Sequence, residues 1–174
     1  MPGFTTGAGK ARNESLHVSF EFSLRRLGEE TRALLPDLAV FQGGAMEIQA
    51  LDITGWKIAT WRQVRDELAR AGLLTIDQAV SLDIKTDEGD FHGHYVRFHP
   101  TLLPHLAPQL LPARRAELEV RYRQSYHELA SYLYNEDKKD PMHARAIAVR
   151  ELPNLRRALD LMLTSPLVGW TESL

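Results

Sequence analysis

The chain has no cysteine, which excludes disulfides and thiolate metal sites. Its N-terminus lacks a long apolar run, so neither a signal peptide nor a membrane span is expected. An excess of one charge is also lacking. The 21 Lys and Arg against 23 Asp and Glu leave a net charge of -2 and a pI near 6.4, so no global basic field gathers nucleic acid. No fixed-length internal repeat is present. What is there is 174 residues with 44% apolar content, enough for a packed core and for one ordinary domain plus part of another. A soluble, cytoplasmic protein is the expectation.

The most informative stretch runs from Trp56 to Pro100. Trp61, Val64, Leu68 and Ala71 recur at three- and four-residue steps, which gives a helix one apolar face. Its other face carries Arg62, Arg65, Asp66 and Arg70. Gly72 follows directly, and glycine ends a helix in the left-handed conformation without steric cost. Leu73 to Ile76 then reads as extended, Val80, Leu82 and Ile84 alternate, and Tyr95 to Phe98 returns as a third extended run. Asp87-Glu88-Gly89-Asp90 reads as a polar turn between them, and Gly93 as a second break. Helices that close on a terminal hairpin have the profile of a winged helix, expected here over residues 15–100.

Residues 1–14 carry no periodicity and read as a flexible lead-in. Gly7-Ala8-Gly9-Lys10-Ala11 falls short of a phosphate-binding loop. Gly3 lies one residue too far upstream, Ala11 has no hydroxyl for magnesium, and no apolar strand precedes it. Leu16, Val18, Phe20, Phe22 and Leu24 alternate as a short strand or an extended lead-in would. Leu24, Leu27, Leu34, Leu35, Leu38 and Ala39 mark a helix that Pro36 kinks or unwinds and Gly43-Gly44 stops. A short second helix covers Met46 to Leu51, and Thr54 or Thr60 caps the third.

Beyond Pro100 the pattern stays helical. Thr101 reads as the N-cap for Leu102, Leu103 and Leu106, with Pro104 in the first turn and Pro108 ending the helix early. Pro112 opens a longer helix with Leu118, Tyr122, Tyr126, Leu129 and Leu133 on one stripe, closing at Asn135-Glu136-Asp137. A last helix runs from about Pro141 to Leu163, with Ile147, Leu155, Leu159 and Met162 inward and Pro153 bending or dividing it. The expected fold class is mainly α. Three helices and a β-hairpin wing form a winged helix, followed over residues 101–174 by an antiparallel helical hairpin that begins a tetratricopeptide-like α-solenoid.

Ser19 to Leu27, then Leu38-Ala39-Val40-Phe41-Gln42-Gly43-Gly44, resembles the entry to the winged-helix domain of STAND signalling ATPases of the NB-ARC type. Leu68 to Leu74 and Val96-Arg97-Phe98-His99-Pro100 fall where that family places its third helix and its Met-His-Asp signature. Glu151 to Leu159 is similar to the helices leading into the sensor repeats of bacterial members. The resemblance implies that His99 reaches the β-phosphate of ADP held in a neighbouring nucleotide domain. Phe98 stands in place of Met and Pro100 in place of Asp, so the family's aspartate has no counterpart. It further implies that the P-loop and the magnesium-binding acid lie upstream, outside this chain.

On residue type alone, His99 reads as a core histidine bonded to a nearby carbonyl; the resemblance assigns it to nucleotide. His92-Gly93-His94, with Asp90 close by, offers at most three ligands where a closed zinc or nickel site needs four, so no metal is expected. Lys57, Arg62, Arg65 and Arg70 would meet DNA phosphates if the third helix entered a major groove. Asp66 and Glu67 on that helix, and Asp83, Asp87, Glu88 and Asp90 on the wing, would repel the DNA backbone. The leading expectation is therefore a non-catalytic regulatory arm with no cofactor of its own. ADP or ATP sits in the upstream domain, and downstream repeats and a protein partner complete the assembly. A DNA-binding transcriptional regulator ranks second, a plain helical interaction module third.

Overall fold

Pro36 sets the shape of the first helical segment. The computed structural model describes residues 20–86 and 89–164. Residues 20–25 are helical, and after a break the chain forms α1 (Glu29–Leu34). It then tightens into a 3-10 helix over Leu35–Val40 with Pro36 near its start, because proline removes a backbone donor. Phe20, Phe22 and Leu24 lie on a helix and not on the short strand or extended lead-in expected for them. The lead-in over 1–14, the Gly7–Ala11 segment, Leu16, Val18 and the turn residues Asp87 and Glu88 lie outside the described residues.

β1 (Gly44–Met46) follows, then α2 (Glu47–Thr54) and α3 (Ile58–Arg70). Neither threonine caps α3: its N-cap is Lys57, without a side-chain bond. The Thr54 hydroxyl instead donates to Ala50 O within α2, at 2.6 Å. Trp61, Val64 and Leu68 are buried as their spacing predicts, and Gly72 ends the helix with φ of 72°.

The hairpin consists of β2 (Leu74–Thr86) and β3 (Gly89–Phe98), and the sheet order is β1-β3-β2, antiparallel throughout. The two extended runs expected before the turn are one strand. Its register slips between Asp77 and Ser81, where the Asp77 carboxylate accepts the Ala79 N–H at 3.1 Å. Gly93 does not break β3. A Cβ there would stand 2.9 Å from Phe91 Cε1 and 3.1 Å from Ile48 Cγ1, so its bareness lets α2 lie close on the strand.

After the hairpin come α4 (Leu102–Leu106), a 3-10 turn over Ala107–Gln109, α5 (Pro112–Glu136) and α6 (Pro141–Thr164). The fold is mainly helical with a small antiparallel sheet and a hairpin wing. α5 buries Leu118, Tyr122, Tyr126, Leu129 and Leu133, the stripe read from the sequence, while Tyr132 stays exposed. One buried apolar cluster takes in Leu38, Trp61, Val96 and Phe98 together with Leu118 and Ile147, so the core runs across residue 100. Pro153 sits inside α6 without dividing it. Among the described residues no helix is long and apolar enough to cross a membrane.

Trp61 has no exposed surface, and its indole N–H donates to Glu47 Oε1 at 2.8 Å. Trp61→Ala is expected to cost about 3–5 kcal/mol in chemical denaturation, through the cavity left behind. A loss below about 1 kcal/mol would show that the surroundings collapse into the space.

Candidate functional site

Two buried carboxylates organise the interior. Glu47, the first residue of α2, is fully buried, and its Oε1 accepts the indole N–H of Trp61 and, at 3.0 Å, a guanidinium N–H of Arg65. Its Oε2 accepts the backbone N–H of His94 at 2.8 Å. One side chain thus ties α2 to α3 and to β3. Arg65 also donates to Asp66 at 2.9 Å. Burial alone would lower the Arg65 pKa, but these two carboxylates raise it.

Glu151 of α6 is the second, also without exposed surface. It accepts the backbone N–H of Met46, the Tyr126 hydroxyl at 2.9 Å and the Asn154 amide at 2.7 Å. Asn154, equally buried, donates to Gly44 O at 2.8 Å, and its Oδ1 accepts from Gln42 N at 2.7 Å and from the Tyr122 hydroxyl at 2.8 Å. Gln42, Gly44 and Met46 present their polar groups along the edge of β1 that faces away from β3. Two side chains of α6 therefore pair a strand edge that would otherwise stand open. Next to them the Tyr95 hydroxyl donates to Arg150 O at 3.1 Å, and Arg150 donates to Asp77 at 2.8 Å.

Burial dominates the acid–base behaviour of this cluster. It pushes the Glu151 carboxyl up, against the opposing pull of the three donors. Burial and then the charge of Glu151 raise the neighbouring tyrosines, Tyr95 to about 12 and Tyr122 and Tyr126 further still. Asp77 moves the other way, because Arg150 hydrogen-bonds its charged form.

These polar residues escaped the sequence reading, which followed the apolar stripe of α6. Ile147 is buried as expected, but Leu155 and Met162 are half-buried and Leu159 is 55% exposed. The inward face is instead Ala144, Ile147, Glu151, Asn154, Ala158 and Leu161. The available signal was the Glu151 and Asn154 pair, three residues apart in line with Ile147 and Ala158.

His99 follows β3 directly and is exposed. Its backbone is fixed on both sides: its N–H donates to Leu73 O at 2.8 Å, and its carbonyl accepts from Leu102 N at 2.9 Å. Thr101 takes the N-cap position of α4 but makes no capping bond with its side chain. Its hydroxyl lies 2.8 Å from His99 Nδ1, which also accepts the Thr101 N–H at 3.4 Å. An accepting Nδ1 puts the proton of the neutral ring on Nε2. The ring stacks beside Phe20 with centroids 6.2 Å apart, and Phe20 meets His105 edge-on at 5.2 Å.

The four cations considered for DNA do not form one free row. Arg65 is held by Glu47 and Asp66, the Arg62 guanidinium lies 5.8 Å from the Phe91 ring centroid, and Arg70 donates to Asp66 O at 3.2 Å. Lys57 is exposed at the start of α3. On the wing His92 pairs with Asp83, and the His92 and His94 rings meet edge-on with centroids 4.8 Å apart. Among the described residues no group of three or more His, Asp or Glu side chains is arranged to hold a metal ion. No protein-family model, curated protein or solved structure matches the chain.

The upward shift of Glu151 carries a sign. The folded state holds its proton more tightly than the unfolded chain does, so its contribution to stability falls as pH rises from the ordinary value of 4.5 through the raised folded pKa. The unfolding free energy of the wild type minus that of Glu151→Gln should therefore decline over this range. A difference that grew with pH would mean that the three donors, not burial, set the pKa.

Proposed function

We propose that the chain is a regulatory arm of a STAND-type signalling ATPase, a winged helix that restrains an ADP-bound nucleotide domain and a helical pair that relays partner binding. One observation carries the reading: His99 is an exposed residue on a fixed backbone, with Nδ1 beside the Thr101 hydroxyl and N–H, an arrangement that assigns the proton of the neutral ring to Nε2. A donor held in this way suits a phosphate oxygen, and its rigidity lowers the entropy lost on binding. The core-histidine alternative requires a buried ring, and His99 is exposed. The helical pair shares a core with the winged helix, which gives a mechanical route from one to the other.

The arm carries no catalysis of its own, and nucleotide belongs to a neighbouring domain. The DNA-binding reading is weaker because Arg65 is held by the buried Glu47 and by Asp66, and Asp83 lies on the wing.

In protein that includes the nucleotide domain, His99→Ala should speed release of a fluorescent ADP analogue roughly ten- to hundredfold, the worth of one hydrogen bond to a charged group. The melting temperature of this chain alone should stay within about 2 °C. Unchanged ADP release, or a chain destabilised as far as by Trp61→Ala, would overturn the assignment. The isolated chain should also hydrolyse no ATP. Steady turnover abolished by Lys10→Ala would contradict that.

A further inference from the structure

α6 is apolar on two opposite sides. Its inward face, described above, packs on the sheet edge and on α5. Met142, Val149, Leu152, Leu159 and Leu163 are 55% to 78% exposed. Their spacings of seven, three, seven and four residues return them to one side of a helix, since each residue turns about 100°. That side lies across the axis from Glu151 and Asn154. A contiguous apolar face left exposed on a helix whose other side is already buried is the kind of surface that marks an interaction site.

The charged members of the outer stripe are mostly basic. Arg145 and Arg156 are exposed near its middle, eleven residues apart, about three turns or roughly 16 Å along the axis, and the exposed Asp160 lies at its margin, in line with Met142. Arg145 pairs with Asp137, an exposed acid at the end of α5, in a bond of little worth against a better partner. Two copies of α6 laid antiparallel around Val149 and Leu152 would set Arg145 against Arg156 of the other copy, a like-charge contact that argues against self-association.

We infer that the outer face of α6 docks an amphipathic partner helix whose apolar stripe meets Val149, Leu152 and Leu159 and whose carboxylates, eleven residues apart, meet Arg145 and Arg156. This deepens the partner-relay half of the proposed function and makes no use of His99, so failure here and failure of ADP retention are read separately.

The test uses the chain with two synthetic peptides as long as the 24 residues of α6. Both carry leucine at three- and four-residue steps; one has glutamate and the other lysine at two positions eleven residues apart. Fluorescence anisotropy should show the glutamate peptide binding about tenfold or more tightly than the lysine peptide. The double variant Arg145→Glu, Arg156→Glu should reverse that preference. Leu152→Glu with Leu159→Glu should abolish binding while the helical circular dichroism stays unchanged, because both leucines are exposed. Absence of binding, or equal binding of both peptides, would overturn the inference. So would a dimer in sedimentation equilibrium that Leu152→Glu dissolves, since the face would then belong to a second copy.

Discussion

The outer edge of β1 offers Gln42 N–H, Gly44 C=O and Met46 N–H, and Asn154 and Glu151 answer all three. β1 is only three residues long, and both of its edges are paired. β3 pairs one, and a helix more than a hundred residues later in the chain pairs the other. The contact works with side chains rather than a fourth strand, so the edge is closed and strand addition from another molecule is blocked. Burying a carboxylate is costly unless its lone pairs are met, and Glu151 meets three donors. Removing it would leave Met46 N–H, the Tyr126 hydroxyl and part of Asn154 without partners at once, which is the expensive way to lose a hydrogen bond.

The rest of the architecture follows from this closure. Glu47 stands one residue beyond Met46, so the strand edge and the knot joining α2, α3 and β3 are neighbours in sequence. A displacement of α6 must therefore pull on β1, and through β1 on α2 and the foot of α3. β3, which pairs with β1, ends immediately before His99. Hydrogen bonds from the helical pair to β1 and from β1 to β3, and then the chain itself, thus connect the helical pair to His99.

Much of this architecture was legible in the residues. The apolar step of α3, Gly72 after it, the alternation of the hairpin, Pro112 opening α5 and the five-residue stripe of α5 each rest on a single local rule, and each element lies where that rule puts it. The failures have physical causes. Phe20, Phe22 and Leu24 alternate, but five residues of alternation do not separate a strand from a short helix with one exposed aromatic. Gly93 reads as a break because its reason, the approach of Ile48, comes from a distant part of the chain. α6 misled because its more apolar face is the outer one, and the inner face is held by Glu151 and Asn154. Buried polar residues are rare enough that a hydropathy pattern assigns them to solvent. His99 was singled out by the resemblance alone; its exposure and its contact with Thr101 come from the fold.

Native-state amide hydrogen exchange tests the central claim, that α6 closes the edge of β1 and makes the winged helix and the helical pair one cooperative unit. The amides of Gln42 and Met46 should exchange with the same opening free energy as those of Ile147 and Ala158 in α6, close to the value for global unfolding. An opening that exposes Ile147 and Ala158 several kcal/mol below global unfolding, with Val96 and Phe98 still protected, would contradict it, because the helical pair would then detach from an intact winged helix.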